Sequence, residues 1–431
     1  MKALIQAGGA GTRLKAITGD LPKPMVKIGG KPILEWQLLS LQKAGVKDIT
    51  IVISKNGESI PEYFGDGEWL NLNLSYIKEE TPLGTAGALY YLKDTFKEDF
   101  FIVFGDLMLD VDWNRFLKFH QGTGGILTAF AHPNSHPFDS DLLVTDNSDR
   151  IIKLDSKNNV RDYYYENLTN AGLYVASPKI FAYVDALKKI DFEKDILSSL
   201  IQVGKAYAYR SSEYVKDCGT PDRYYAVNQD LKAGIIEPRS LRNKQKAIFL
   251  DRDGVINRFV GLVTKAEMLE LIPSASEAIR LINNSAYLAI CITNQPVVAR
   301  GDTSFEELKN IHNKMEVLLG KRGAYLNDIY FCPHHPDRGF PGEVKELKID
   351  CDCRKPKIGL LLKAQQKYNI DFSSSYFIGD TLRDVQTGIN AHCKTILVTS
   401  GDERLDRTFP NTKPDFVKKD ILDAVAFILK Q

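Results

Sequence analysis

The sequence carries no surplus of charge: 56 Lys and Arg stand against 55 Asp and Glu, leaving a formal net charge of +1. A nucleic-acid or membrane-surface partner held by bulk electrostatics is not indicated, so any anionic ligand must be gripped locally. No apolar run approaches the roughly 20 residues of a membrane span. The opening MKALIQAGG passes from a strand-like run into glycines without a signal-peptide pattern. The expectation is a cytoplasmic protein with no membrane contact. Cysteine is scarce, with six in 431 residues, and Cys218, Cys291 and Cys393 lie scattered in or beside apolar segments as packed thiols rather than a disulfide framework. Internal repeats and low-complexity segments are also missing. The length exceeds one ordinary core, which sets two domains as the expectation.

What is present is two series of short apolar runs. Strand-like runs at 3–6, 49–53, 72–77 and 100–104 alternate with helical patterns at 32–44 and 85–92, which predicts a mostly parallel α/β sheet. From 125 to 209 the pattern is strand-rich, an insertion covering that sheet, and 222–232 reads as a closing helix. The stretch 234–245 has little periodicity, a Gly, a Pro and several charges, and reads as a linker. A second series follows, with strands predicted at 247–250, 287–292, 329–331, 376–378 and 395–398. The fold class is α/β in two domains, 1–233 and 246–431.

Gly8-Gly9-Ala10-Gly11-Thr12-Arg13-Leu14 follows the first strand directly. Glycine removes the Cβ and permits unusual φ, so the N–H groups of such a loop can approach a polyphosphate closely. Leu14 stands where the dinucleotide fingerprint needs its third glycine, and the Gly-Lys-Ser/Thr of a P-loop is absent. Beyond it Lys23 is held between Pro22 and Pro24. With Arg13 it offers two cations to a triphosphate attacked at its α-phosphorus.

AGGAGTRL, PKPM and GKPILE, then Pro82 to Ala88, Phe104-Gly105-Asp106, Asn170 to Val175, and Asp217 to Pro221, resemble the sugar-1-phosphate nucleotidyltransferases over essentially the whole first domain. The resemblance implies a Rossmann-like mixed sheet and magnesium-dependent attack of a sugar 1-phosphate on a nucleoside triphosphate, releasing pyrophosphate. Carried over, Gly8, Gly9, Gly11, Thr12, Gly84 and Thr85 bind the nucleotide and its phosphates, and Arg13 and Lys23 stabilise the transition state. Asp106 and Asp217 hold Mg²⁺, Lys157 binds the sugar phosphate, and Asn170 contacts sugar hydroxyls. Ser156 replaces the usual glutamate before that lysine, and Gln6 replaces a common leucine before the glycines. Those departures bear on sugar and base contacts respectively.

In the second half, Lys246 to Asn257 reads KAIFLDRDGVIN, a buried-strand pattern that stops at Asp251 and Asp253. Carboxylates at a strand end of an open α/β sheet sit where ligands bind. Thr293-Asn294 ends another strand, Arg354-Lys355 precedes an apolar helix, and Asp380 ends a further strand with Asp384 one helical turn later. Cys332-Pro333-His334-His335 and Cys351-Asp352-Cys353 add three thiolates and an imidazole, the number and softness of a closed tetrahedral Zn²⁺ site. The odd count in the cluster argues against a disulfide. Spacing alone does not choose between His334 and His335.

Acid, hydroxyl, cation, acid in that order resembles the haloacid-dehalogenase-type phosphatases, with a Rossmann-like parallel sheet. CPHH and CDCRKP, with TNQ and VARG, resemble the D-glycero-D-manno-heptose 1,7-bisphosphate phosphatases and share much with histidinol-phosphate phosphatases. The resemblance implies Asp251 as nucleophile, Asp253 as acid and base, and Thr293, Asn294, Arg354 and Lys355 on the substrate. It also implies Asp251, Asp253 and Asp380 around Mg²⁺, and Cys332, His334, Cys351 and Cys353 around Zn²⁺. Pro296-Val297 and Thr381 depart from the usual Ser-Gly and Lys.

Together the resemblances imply a bifunctional enzyme of nucleotide-activated heptose synthesis, taking a nucleoside triphosphate and sugar phosphates, and the pathway they resemble favours GTP and the alpha anomer of the heptose 1-phosphate. Two alternatives stand beside it: a hexose-1-phosphate nucleotidyltransferase fused to a histidinol-phosphate-type phosphatase, and a regulatory or scaffolding protein with inactive sites.

Overall fold

The structure, a computed structural model, describes residues 1–9, 14, 17, 19, 21–400 and 409–431. Its residues form two units: Met1–His132, Asp141–Ser156 and Leu168–Arg242 make the first, and Pro133–Ser140, Lys157–Asn167 and Asn243–Gln431 the second.

The first unit is built on a nine-stranded sheet. Its strands are β1 (Lys2–Gln6), β2 (Asp48–Ser54), β3 (Asn73–Glu79) and β4 (Phe100–Phe104). A short strand β5 (Leu107–Asp110) lies outside the sheet, and β6 (Leu127–His132), β7 (Leu142–Thr145), β8 (Ile151–Asp155), β9 (Thr169–Ala176) and β10 (Ala206–Arg210) complete it. The main path runs β8-β7-β9-β4-β1-β2-β3, with β6 on β9 and β10 on β6. Strands β1, β2, β3 and β4 are parallel, and β9 joins β4 antiparallel. The sheet is therefore mixed, because the strand-rich stretch enters it instead of merely covering it. Ala3, Leu4 and Ile5 are fully buried, as a central parallel strand covered on both faces requires.

Strand β11 (Tyr214–Asp217) pairs antiparallel with β5, and helix α1 (Pro221–Lys232) follows it, opened by the Thr220 side chain accepting from the Arg223 N–H. The helical pattern at 85–92 forms 3₁₀ turns over Gly87–Leu92. The Ala86 N–H is drawn onto the Ile190 carbonyl, and a Cβ on Gly87 would meet the Lys188 carbonyl at 2.4 Å, so neighbouring chain sets the local path. The 234–245 stretch is packed rather than extended. Ile235, Ile236 and Leu241 are buried, and Arg242 is ion-paired to Asp110.

The second unit is a six-stranded parallel sheet: β12 (Lys246–Leu250), β13 (Tyr287–Asn294), β14 (Asp328–Cys332), β15 (Tyr376–Gly379), β16 (Lys394–Val398) and β17 (Phe416–Lys418). Its order, β14-β13-β12-β15-β16-β17, places the first strand between the second and the fourth. Chain direction across the sheet reverses there, which opens a crevice at the strands' carboxyl ends. The first unit has the same local order, β3-β2-β1-β4. Two switch points result: one at the ends of β1 and β4, the other at the ends of β12 and β15.

Candidate active sites

At the first switch point, β1 runs out into Gly8 and Gly9 and β4 into Gly105 and Asp106. Gly105 donates to the Gln6 carbonyl at 2.9 Å, and a Cβ there would stand 2.9 Å from that oxygen and 3.1 Å from Pro24 Cγ. Only glycine lets Pro24 lie on the strand end, and Lys23 Nζ thereby reaches Asp106 Oδ2 at 3.3 Å. The β5–β11 pairing sets Asp217 opposite Leu107, and the Cys218 N–H donates to the Asp106 carbonyl at 2.9 Å. The backbone at Asp106 and at Asp217 thus runs side by side. Arg223, which the sequence did not single out, donates to both Asp217 oxygens at 2.9 Å. Gly11, Thr12 and Arg13 lie outside the described residues.

Gly84 has φ +77°, and its missing Cβ admits the Ile190 carbonyl, which a side chain would meet at 2.4 Å. The Thr85 hydroxyl accepts from the Phe192 N–H at 2.7 Å, which ties the loop to the backbone. Asn170 donates to the Tyr174 hydroxyl at 2.7 Å, and Tyr174 donates to Glu193 at 3.2 Å. Burial, then the nearby Asp191, pushes the Glu193 carboxyl up to about 7. Glu193 stands 23 positions beyond Asn170, too far for a local motif to flag. Lys157 is exposed and groups with the second unit, whereas Asn170 groups with the first.

At the second switch point, Asp251 and Asp380 end β12 and β15, and Asp384 sits in the first turn of helix α2 (Leu382–Asn390), sharing a capping box with Thr381. One carboxylate oxygen from each of Asp251, Asp380 and Asp384 lies within 4.8 Å of the others. Lys355, 3% exposed, bridges two of them, with Nζ 2.8 Å from Asp251 and 2.6 Å from Asp384. Burial and the neighbouring carboxylates push Asp380 up to about 8, and burial, opposed by Lys355, pushes Asp251 up to about 7. Burial alone would pull Lys355 down, but Asp251 and Asp384 outweigh it and hold it raised. Three acids against one cation leave an excess of negative charge on hard oxygen donors, the setting a divalent ion such as Mg²⁺ fits.

The Asp253 side chain is not part of that trio. It accepts from Arg252 at 2.9 Å, Asn257 at 3.0 Å and Gln295 at 2.9 Å. Burial opposes these donors, but Arg252, Asn257 and Gln295 prevail and hold its carboxyl below the usual range. Arg252 is fully buried, a cost that only such pairing offsets. Thr293 is buried and its hydroxyl accepts from Gln295 at 2.9 Å. Asn294 accepts from the Lys355 N–H at 3.0 Å and donates to the Lys355 carbonyl at 3.2 Å, fixing the lysine's backbone.

Cys332, at the end of β14, lies 3.5 Å from Cys351 and 3.2 Å from Cys353, Sγ to Sγ. His334 Nδ1 is 3.2 Å from Cys353 Sγ, and these four residues form a group able to hold a metal ion. His335 instead accepts from the Asp337 N–H at 3.2 Å, so the cluster takes His334. All six cysteines are free of disulfides. Arg354 follows the cluster directly and donates to the His334 carbonyl at 3.2 Å.

Comparison with known proteins agrees with this geometry. The Nucleotidyl transferase family matches residues 2–234, and a HAD-hydrolase-like family matches 352–424. The D-glycero-beta-D-manno-heptose-1,7-bisphosphate 7-phosphatase of Yersinia pestis is 40% identical over 156 residues, 36% of this chain and 81% of the relative. The same-named protein of Pasteurella multocida is 40% identical over 158 residues, covering 36% and 83%. Among solved structures, HddC from Yersinia pseudotuberculosis is 28% identical with a TM-score of 0.47, covering 53% of this chain and 99% of that one. Among the described residues, no helix is long and apolar enough to cross a membrane. The chain therefore belongs to the nucleotidyl transferase family and also to the heptose-bisphosphate phosphatases, one family for each of its two sheets.

Proposed function

We propose that the chain catalyses two consecutive steps of heptose activation: hydrolysis of the 7-phosphate of D-glycero-D-manno-heptose 1,7-bisphosphate, then nucleotidyl transfer to the heptose 1-phosphate. The observation that carries this reading is the recurrence of one arrangement, acids and a lysine converging at a sheet's switch point, in both units.

In the second unit, an Asp251 oxygen attacks phosphorus and the bond to the sugar O7 breaks, leaving an aspartyl phosphate. Asp253 gives its proton to the departing oxygen and takes one from the water that next attacks phosphorus, releasing Asp251 and phosphate. The donors on Asp253 favour its ionised form, the one that acts as base. Turning away from Arg252 and Gln295 would let it serve as acid. Lys355 neutralises Asp251 as the phosphate approaches. Asp251, Asp380, Asp384 and the Asp253 backbone would hold Mg²⁺, which supplies charge neutralisation between nucleophile and phosphate.

In the first unit, a phosphate oxygen of the sugar 1-phosphate attacks the α-phosphorus of the triphosphate and the bond to pyrophosphate breaks. Lys23 and Arg13 offset the charge that develops, the glycine loop with Gly84 seats the nucleotide, and Asn170 with Glu193 addresses sugar hydroxyls. Asp106 and Asp217 are the acids there suited to Mg²⁺. Lys157 is assigned to the sugar phosphate by resemblance alone. Cys332, His334, Cys351 and Cys353 take Zn²⁺ as a structural clip that seats Arg354 and Lys355. Thiols free of disulfides support a cytoplasmic location.

The test is release of phosphate and pyrophosphate by the purified chain with each heptose bisphosphate anomer and each nucleoside triphosphate. The curated relatives carry the beta anomer in their names, whereas the pathway resemblance favours the alpha anomer and GTP. Turnover of histidinol phosphate and a hexose 1-phosphate, with none of the heptose compounds, would replace this reading with the alternative.

A further inference from the structure

The helix Phe305–Gly320 buries Leu308, Ile311, Met315 and Leu319, and His312, one turn beyond Leu308, lies on the same face at 6% exposure. Its ring packs against Phe331, 5.4 Å between centroids. An imidazole on such a face is ordinarily packing, but this one has a polar partner: its Nε2 is 3.3 Å from Nη1 of Arg252. A guanidinium only donates, so Nε2 accepts and the ring is the neutral tautomer with its proton on Nδ1. Burial, and then the Arg252 charge, pull the ring down to about 3, which keeps it an acceptor at neutral pH. The same guanidinium grips Asp253 through Nε at 3.2 Å and through Nη2 at 2.9 and 3.0 Å. Among the described residues, His312 and Asp253 are the side chains that accept from it.

To protonate a departing sugar oxygen, Asp253 has to leave Arg252. A fully buried guanidinium stripped of every acceptor is costly, and His312 is the acceptor that stays behind. Resting on the phosphoryl transfer proposed above, we propose that His312 is a positioning residue for the acid step, retaining Arg252 while Asp253 turns between the guanidinium and the substrate. It makes and breaks no bond in the reaction. Without it the buried charge has Asp253 alone, and the carboxyl is kept on the guanidinium, ionised and turned from the leaving oxygen. Proton delivery then slows, whereas attack by Asp251 on phosphorus does not.

The experiment separates the proton from the attack by leaving group. Single-turnover formation of the aspartyl phosphate is measured on the full chain with heptose 1,7-bisphosphate, an alkyl ester, and with 2,4-dinitrophenyl phosphate, whose phenolate leaves without a proton. His312→Leu should slow formation from the alkyl ester by about tenfold or more, part of what a general acid contributes. Formation from the dinitrophenyl ester should stay within about twofold of wild type. His312→Gln, whose amide oxygen can accept from Arg252, should bring the alkyl rate back to within about threefold. Each variant carries its own folding control in the ratio of the two esters, and if His312→Leu does not fold, His312→Phe makes the same comparison. Equal losses on both esters, an unchanged alkyl rate, or a Gln variant no better than Leu would overturn the assignment. If wild type cleaves histidinol phosphate and not the heptose compound, the function proposal fails, and the comparison runs on that alkyl ester. A wild type that cleaves neither alkyl ester overturns both.

Discussion

Glu213 offers a sharp test of how the first site is anchored. It is 2% exposed and stands four residues before Asp217. Its Oε1 accepts from the backbone N–H groups of Asp112 and Leu241, and its Oε2 accepts from Ser211. Burial nonetheless pushes its carboxyl up to about 7, from an ordinary 4.5. Between those values the folded chain holds a proton that the unfolded chain has released, so stability is fully present below pH 4.5 and falls as pH rises through 7. The span of 2.5 units, 7 minus 4.5, at about 1.36 kcal/mol per unit, corresponds to roughly 3 kcal/mol. Glu213→Gln reproduces the protonated form: its oxygen keeps both backbone donors and its amide can donate to Ser211. The variant should match wild type near pH 4.5 and be more stable by about 3 kcal/mol at pH 8. Denaturant unfolding of both proteins from pH 5 to 8, followed by a signal of the first unit, measures the difference. An offset that does not change with pH, or a variant less stable at pH 8, refutes the reasoning.

Gly105→Ala should force Pro24 or the Gln6 carbonyl to shift and carry Lys23 off Asp106. Pyrophosphate release should fall by about 10²-fold, with phosphate release unchanged. Metal analysis of untreated protein should find about one zinc per chain. Cys353→Ser should lose that zinc and, because Arg354 and Lys355 follow directly, phosphate release as well, while pyrophosphate release persists. Gln295→Leu removes a donor from Asp253 without touching Asp251, and the base-dependent release of the aspartyl phosphate should slow more than its formation in single-turnover assays.

The parts that could be read from the sequence were those written in neighbouring residues. Apolar runs ending in Asp251, Asp380 and Asp106 announced strand ends that carry acids, and the cysteine spacing announced a metal cluster. The parts that could not were contacts between distant residues. Nothing near Gln295 says that its amide will donate to Asp253, and nothing near Arg242 says that it will pair with Asp110. The Thr85 hydroxyl serves the Phe192 backbone because the chain returns there, 107 positions later. Likewise Pro133–Ser140 and Lys157–Asn167 group with the second unit although they lie within the first unit's sequence. A linear pattern carries no such signal. The choice of His334 over His335 needed only one further observation, where each ring points.

The central claim is that two separate centres work on phosphorus. Its most direct test is phosphate and pyrophosphate release measured on wild type, Asp251→Asn and Asp217→Ala. The account predicts that Asp251→Asn loses phosphate release by at least about 10³-fold and still makes pyrophosphate from heptose 1-phosphate, with the converse for Asp217→Ala. Wild type inactive in both assays, or either substitution abolishing both activities in a folded protein, would contradict it.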